Sequence, residues 1–176
     1  MSNVLIVIGS AREGRVADKV LGHIQDELKN HDDITATVAD LKIINLPFFD
    51  NVASPADPDY VATNENVITW SKLVEANDKV LLITPEYNHG LSAIEKNALD
   101  TLSKEWKDKP VAAVAYGWTG GSHSIDVLND LIPHLGAVFL PNPSQLTFMK
   151  DINPDGSIAD EVSVAAQIRA TINELA

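Results

Sequence analysis

The chain has 176 residues, 45% of them hydrophobic, and its 25 acidic against 13 basic side chains give a net charge of −12 at pH 7. That length suits one domain, residues 1–176, burying roughly 70% of its unfolded surface, while the charge leaves no basic face for nucleic acid or an anionic membrane. With no cysteine, disulfides, thiolate nucleophiles and cysteine-ligated metal centres are excluded. A start that lacks leader-like sequence, and no apolar run near 18 residues, predict a cytoplasmic protein without membrane spans.

The first element is the apolar run "NVLIVIG" (3–9), followed by "GSAREGR" (9–15) and a helix expected over 15–30. "ITATVADL" (34–41) is a weaker, alternating strand suited to a sheet edge. A long irregular stretch, "KIINLPFFDNVASPADPD" (42–59), precedes a helix over 60–76. The runs "DKVLLIT" (78–84) and "PVAAVAY" (110–116) are apolar on both faces, as parallel strands covered by helices on two sides must be. They enclose a helix over 92–105. A further helix over 121–135, a fifth strand at "AVFLP" (137–141) continuing toward "SQLTF" (144–148), and a last helix over 158–175 complete the pattern. Alternating strands and helices with right-handed crossovers predict an α/β fold with a doubly wound five-stranded parallel sheet of order 2-1-3-4-5.

In that order the first, third and fourth strands are adjacent, and ligands bind beyond their carboxyl ends. The loops there are "GSAREGR" (9–15), "PEYNHG" (85–90) and "GWTGGS" (117–122). Arg12 and Arg15 are two of only three arginines in the chain. Cations near a helix start are disfavoured by about 0.3–1 kcal/mol each, so two of them predict an anion between. Neither phosphate signature fits: Ala11 breaks G-x-G-x-x-G, and Arg15-Val16 replace the lysine and hydroxyl of a P-loop. A terminal phosphate held by the Ser10 hydroxyl, backbone amides and two guanidiniums remains. The competing reading is that Arg12 and Arg15 pair with Glu13 and Asp18. Tyr87, Asn88 and Trp118 point to a flat heteroaromatic ring, against plain strand-exit turns. His23, His31 and His134 read as surface or packing residues, and His89 and His123 lack any nucleophile or metal partner in the sequence. Absence of G-x-S-x-G and H-E-x-x-H leaves little acid–base machinery, as suits a cofactor that performs its own chemistry.

These residues resemble the NAD(P)H-dependent FMN reductase family, from the first strand to about residue 141. "GSAREGRVADKV" resembles its phosphate loop, "LPFFD" (46–50) its L-P-hydrophobic-hydrophobic-D segment, and "TPEYNHGLSAIEKNALDTL" and "KEWKDKPVAAVAYGWTGGSHSIDVL" its two remaining blocks. The resemblance implies a flavodoxin-like fold, FMN as cofactor and NADPH or NADH as donor. It assigns the phosphate and ribityl chain to Ser10, Arg12, Arg15 and Val16, and the isoalloxazine to Pro85, Glu86, Tyr87 and Asn88. The pyrimidine edge falls to Gly117, Gly120 and Gly121. Flavin N5 carries the reaction and no side chain is assigned a catalytic role. The acceptor would be a quinone, azo compound, metal oxyanion or free flavin, and the assembly a homodimer or homotetramer joined through the 42–59 loop and the helix from about 92. Alternatives are a flavodoxin-type carrier or a non-catalytic flavin-binding module.

Three positions depart from the family pattern: Ser92 stands for a usual proline, Glu95 for leucine and Thr101 for a frequent aromatic. Glu95 is expected either beside the site, where it would repel nicotinamide phosphates or favour a cationic acceptor, or paired with Lys96 or Lys72. Thr101 is expected to open the acceptor pocket.

Overall fold

The computed structural model describes all residues, Met1–Ala176. Its strands are β1 (Ser2–Ile8), β2 (Ile34–Asp40), β3 (Lys79–Pro85), β4 (Pro110–Gly117), β5 (Val138–Phe139) and β6 (Ser144–Thr147). They form one parallel sheet of order β2-β1-β3-β4-β5, the order expected. β5 pairs with Pro110–Val111 and β6 with Val114–Gly117, so the fifth position is one edge strand in two pieces. Pro141 and Pro143, which cannot donate ladder hydrogen bonds, lie in the break.

Helices α1 (Ala17–Leu28), α2 (Leu41–Ile44), α3 (Glu65–Glu75), α4 (Ala93–Asp100), α5 (Ser122–His134) and α6 (Glu161–Asn173) cover the sheet. The helix expected over 60–76 begins only at Glu65, where Asn64 accepts from Asn66 N at 2.9 Å and caps it. The one expected over 92–105 ends at Asp100, with a separate 3-10 turn at Lys104–Trp106. The irregular 42–59 stretch begins inside the short α2. No helix is long and apolar enough to cross a membrane.

Alternate residues of β1, β3 and β4 point to opposite faces, so each strand feeds two cores. Leu5, Val7, Leu82 and Ala113 pack with Trp70, Leu99, Trp106 and Leu128 under α3, α4 and α5. Val4, Ile6, Ile83 and Val114 pack with Val20, Ile24, Val164 and Ile168 under α1 and α6. The buried indoles remain satisfied: Trp70 Nε1 donates to the Ala98 carbonyl and Trp106 Nε1 to that of Leu99, at 2.8 and 3.0 Å. β2 is exposed over Thr35–Val38, as an edge strand can be. This framework holds the ends of β1, β3 and β4 side by side.

Candidate functional site

A cleft of about 720 Å³ lies beyond those strand ends, within the range of small-molecule sites, about 300–1,000 Å³. Ser10, Arg12, Arg15, Val16, Pro85, Glu86, Tyr87, Asn88 and Gly117 all line it. Gly120 and Gly121 are buried outside its wall. A Cβ on Gly121, at φ +77°, would fall 2.5 Å from that of Ala115, so this glycine lets the start of α5 close onto β4.

The two arginines differ sharply. Arg15 Nη1 and Nη2 fork onto Asp40 at 2.8 and 2.5 Å, Nη1 also donates to the Ser10 carbonyl at 2.5 Å, and Nε donates to Asp18 at 2.9 Å. Parallel pairing of Ile8 with Asp40 delivers that carboxylate to the loop leaving β1. The hydrogen bond from Arg15 holds Asp40 below the usual carboxylate range, against the opposing effect of burial. Bonding to Asp40 raises Arg15 in turn. Asp18 is the partner that the competing reading offered; the dominant one, Asp40, lay outside both readings. Arg12 is exposed and joins none of the chain's ion pairs. The competing reading, in which it pairs with Glu13, does not hold. Beside it Gly14 adopts φ +62° with open space around it, and the loop's amides precede the 12-residue α1. Arg12 is thus a guanidinium with no carboxylate partner, in the loop that leads into a helix N-terminus, where anions are favoured.

The loops converge through side chains as well. Ser10 Oγ and Tyr87 Oη are 2.8 Å apart. Burial raises the Tyr116 phenol, keeping it neutral. Trp118 is 69% exposed and meets Phe148 edge-on, ring centres 5.5 Å apart. Phe148 and Pro154 line the cleft from a loop that the sequence reading did not assign to the site. Phe148 N donates to the Gly117 carbonyl at 2.9 Å. Buried Asp151 fastens the loop through Thr147 N, Ser163 Oγ and Gln167 Nε2. Chemically, the cleft offers an unpaired guanidinium at one end, flat aromatic surface at the other and no nucleophile–base pair.

Three expectations need correction. Glu95 neither faces the cleft nor pairs with Lys96 or Lys72. It is 1% exposed, accepts from Thr84 Oγ1 at 2.7 Å through Oε1, and leaves Oε2 without a partner. Burial pushes its pKa up to about 8, against the lowering effect of the Thr84 bond. It lies under the 9–15 loop, where a Cβ on Gly9 would come 2.6 Å from Oε2. Lys96 instead reaches Asp100. Thr101 is buried, bonds the Ala98 carbonyl at 3.2 Å, and borders a separate cavity of about 50 Å³. Finally, His89 and His123 do have a partner: Glu86 joins them in one cluster. Ser92, for its part, caps α4 by accepting from Glu95 N and donates to the Gly9 carbonyl, tying α4 to β1.

A family model described as NADPH-dependent FMN reductase matches residues 2–151. The chain is 32% identical over 171 residues to the NAD(P)H-dependent FMN reductase LOT6 of Saccharomyces cerevisiae, covering 89% of this chain and 90% of that one. It is 36% identical over 137 residues to an NADPH azoreductase of Bacillus sp. strain OY1-2, covering 77% and 70%. Among solved structures it resembles the flavoenzyme NAD(P)H:(acceptor) oxidoreductase FerB of Paracoccus denitrificans, with a TM-score of 0.74, 25% identity and 99% of both chains covered.

Proposed function

The chain belongs to the NADPH-dependent FMN reductase family, and from that premise we propose how its residues hold FMN and which acceptor they admit. It is a flavin-dependent oxidoreductase that uses FMN and NAD(P)H. When bound, FMN supplies the hydride chemistry between the nicotinamide and the acceptor.

The residues fit that group. Arg12 receives the phosphate with a guanidinium that no carboxylate of the chain neutralises, helped by the loop amides before α1. Arg15, locked to Asp40 and Asp18, sets the loop's path and adds at most its remaining N–H. Ser10 joins this loop to Tyr87, and Val16 flanks the ribityl chain. Backbone groups of Pro85–Asn88 and Gly117 edge the ring, with Gly120 and Gly121 bringing the β4 loop into place. Tyr116, Trp118 and Phe148 supply flat apolar surface and exclude water. Arg12 is the observation that carries this reading: a bare cation at the lip of a cleft of about 720 Å³ in an acidic protein.

The exposed Trp118 and the edge-on Phe148 favour a planar aromatic acceptor, a quinone or azo compound, over a metal oxyanion. The NAD(P)H requirement supports a cytoplasmic setting. Ile43, Phe48, Val52 and Val61, between 71% and 104% exposed, support self-association through the 41–62 segment. Asn97 pins that segment to α4 by donating to the Pro47 carbonyl and accepting from Phe49 N.

Anaerobic stopped-flow mixing of the FMN-loaded protein with NADH and NADPH tests the assignment. Rapid bleaching of the flavin, followed by recovery on adding a quinone faster than on adding chromate, is expected. No bleaching with either nucleotide would point to a carrier or a binding module.

A further inference from the structure

Two histidines from different loops meet at the rim of the cleft. His89 follows β3 and His123 lies in the first turn of α5; their rings stack with centres 3.9 Å apart and planes 25° from parallel. Glu86 completes the group, and the ligand atoms of all three residues lie within 4.8 Å of one another.

The arrangement is held from outside. Glu86 Oε2 accepts from Thr119 Oγ1 at 2.5 Å and from His123 N at 3.1 Å, which orients the carboxylate and leaves Oε1 free. Ser124 Oγ lies 2.9 Å from the Gly90 carbonyl, so α5 is fastened to the turn that carries His89. His89 keeps φ +63°, a left-handed conformation that a non-glycine residue adopts at a cost. Neither imidazole makes a hydrogen bond through its ring nitrogens; the two rings only stack on each other.

We propose that Glu86, His89 and His123 form a binding site for a divalent transition-metal ion, zinc or copper(II) above all. Two imidazole nitrogens and one carboxylate oxygen suit ions of intermediate softness and are poor in oxygen for magnesium or calcium. Bonds of about 2.0–2.2 Å place neighbouring ligand atoms roughly 3–3.5 Å apart around such an ion. The ligand atoms, all within 4.8 Å of one another, reach that spacing by side-chain rotation, which the exposed His89 is free to make. Thr119 and the His123 amide act as the outer partners that ligating carboxylates require. Three protein ligands leave further positions open, and Glu86 and His89 line the cleft, so those positions face it and accept water or an anionic oxygen. The three ligands are side chains, whereas in the proposed flavin site the ring is edged by backbone groups of the Pro85–Asn88 loop.

Calorimetric titration of zinc chloride into untagged, FMN-loaded protein tests it. One zinc per chain is expected, weakened at least about tenfold in His89→Ala and in His123→Ala. Copper(II) in place of zinc should give an electron paramagnetic resonance spectrum split by two nitrogens in the wild type and by one in each variant. Far-ultraviolet circular dichroism confirms that the variants are folded. The proposal is overturned if the wild type takes up no zinc, or if the single variants bind it as the wild type does. Neither result touches flavin reduction, which stopped flow reads separately.

Discussion

The lip of the 9–15 loop and the floor beneath it, which β3 and α4 largely supply, are built to opposite ends. At the lip, Arg12 is exposed and unpaired, and Gly14 leaves the backbone open. On the floor, Gly9, Thr84, Ser92 and Glu95 are packed so tightly that a methyl group on Gly9 would strike the Glu95 carboxyl. Arg15 stands between the two, its charge matched by Asp40 and Asp18. Charged residues near one cleft therefore stand in different states: one is exposed and unpaired, one is braced by two carboxylates, and one is sealed inside. The comparison can be broken at each of the three.

The largest effect belongs to the floor. Glu95 titrates near pH 8 in the folded protein, above its ordinary 4.5, because burial disfavours the charge. Between those values the unfolded chain has lost a proton that the folded one keeps, so stability falls as pH rises from about 4.5 to 8 and levels off above. At roughly 1.4 kcal/mol per pH unit the loss is on the order of 3–5 kcal/mol. Glu95→Gln keeps an acceptor for Thr84 and removes the ionisation. Urea midpoints at pH 5 and pH 9 should diverge in the wild type and stay close in the variant; parallel behaviour would show that Glu95 is not held neutral.

Next comes the loop's brace. Asp40→Ala strands Arg15 in a largely buried position and removes the cap on Lys42 N, so about 2–4 kcal/mol of stability should be lost. Thermal melts of the apo protein measure it. A change below about 0.5 kcal/mol, the scale of an ordinary surface substitution, would mean the pair does not organise the loop.

A smaller change is expected at the exposed apolar segment. Phe48→Ser should leave monomer stability within about 0.5 kcal/mol and shift assembly toward smaller species by light scattering. Unchanged assembly would remove Phe48 from any interface.

How much of this was legible in the sequence depends on the distance over which each feature acts. The runs at 3–9, 78–84 and 110–116 are apolar on both faces, so β1, β3 and β4 and the position of the cleft could be read directly. The partner of Arg15 could not be read locally, since Asp40 is 25 residues away and arrives through the β1–β2 register. That register carries a signal: adjacent parallel strands end together, and Asp40 ends β2. Glu95 had one too, lying three and four residues before the buried Ala98 and Leu99 on one helix face. His89 and His123 were weighed loop by loop, and only convergence of the loops after β3 and β4 joins them. Phe148 and Pro154 follow an interrupted edge strand, whose exit no local pattern tied to the site.

Arg12 gives the smallest stability effect and the most direct test. Removing an exposed cation near a helix start should change apo stability by less than about 0.5 kcal/mol. FMN binding by Arg12→Ala should weaken by about 1.5–3 kcal/mol, the scale of a hydrogen bond to a charged group, or roughly ten- to more than a hundred-fold in dissociation constant. The decisive measurement is a fluorescence titration of wild type and Arg12→Ala with FMN and with riboflavin, which lacks the phosphate. The account predicts that the variant loses FMN affinity and keeps its riboflavin affinity. Equal FMN binding by the two proteins, or an equal loss for both ligands, would contradict it.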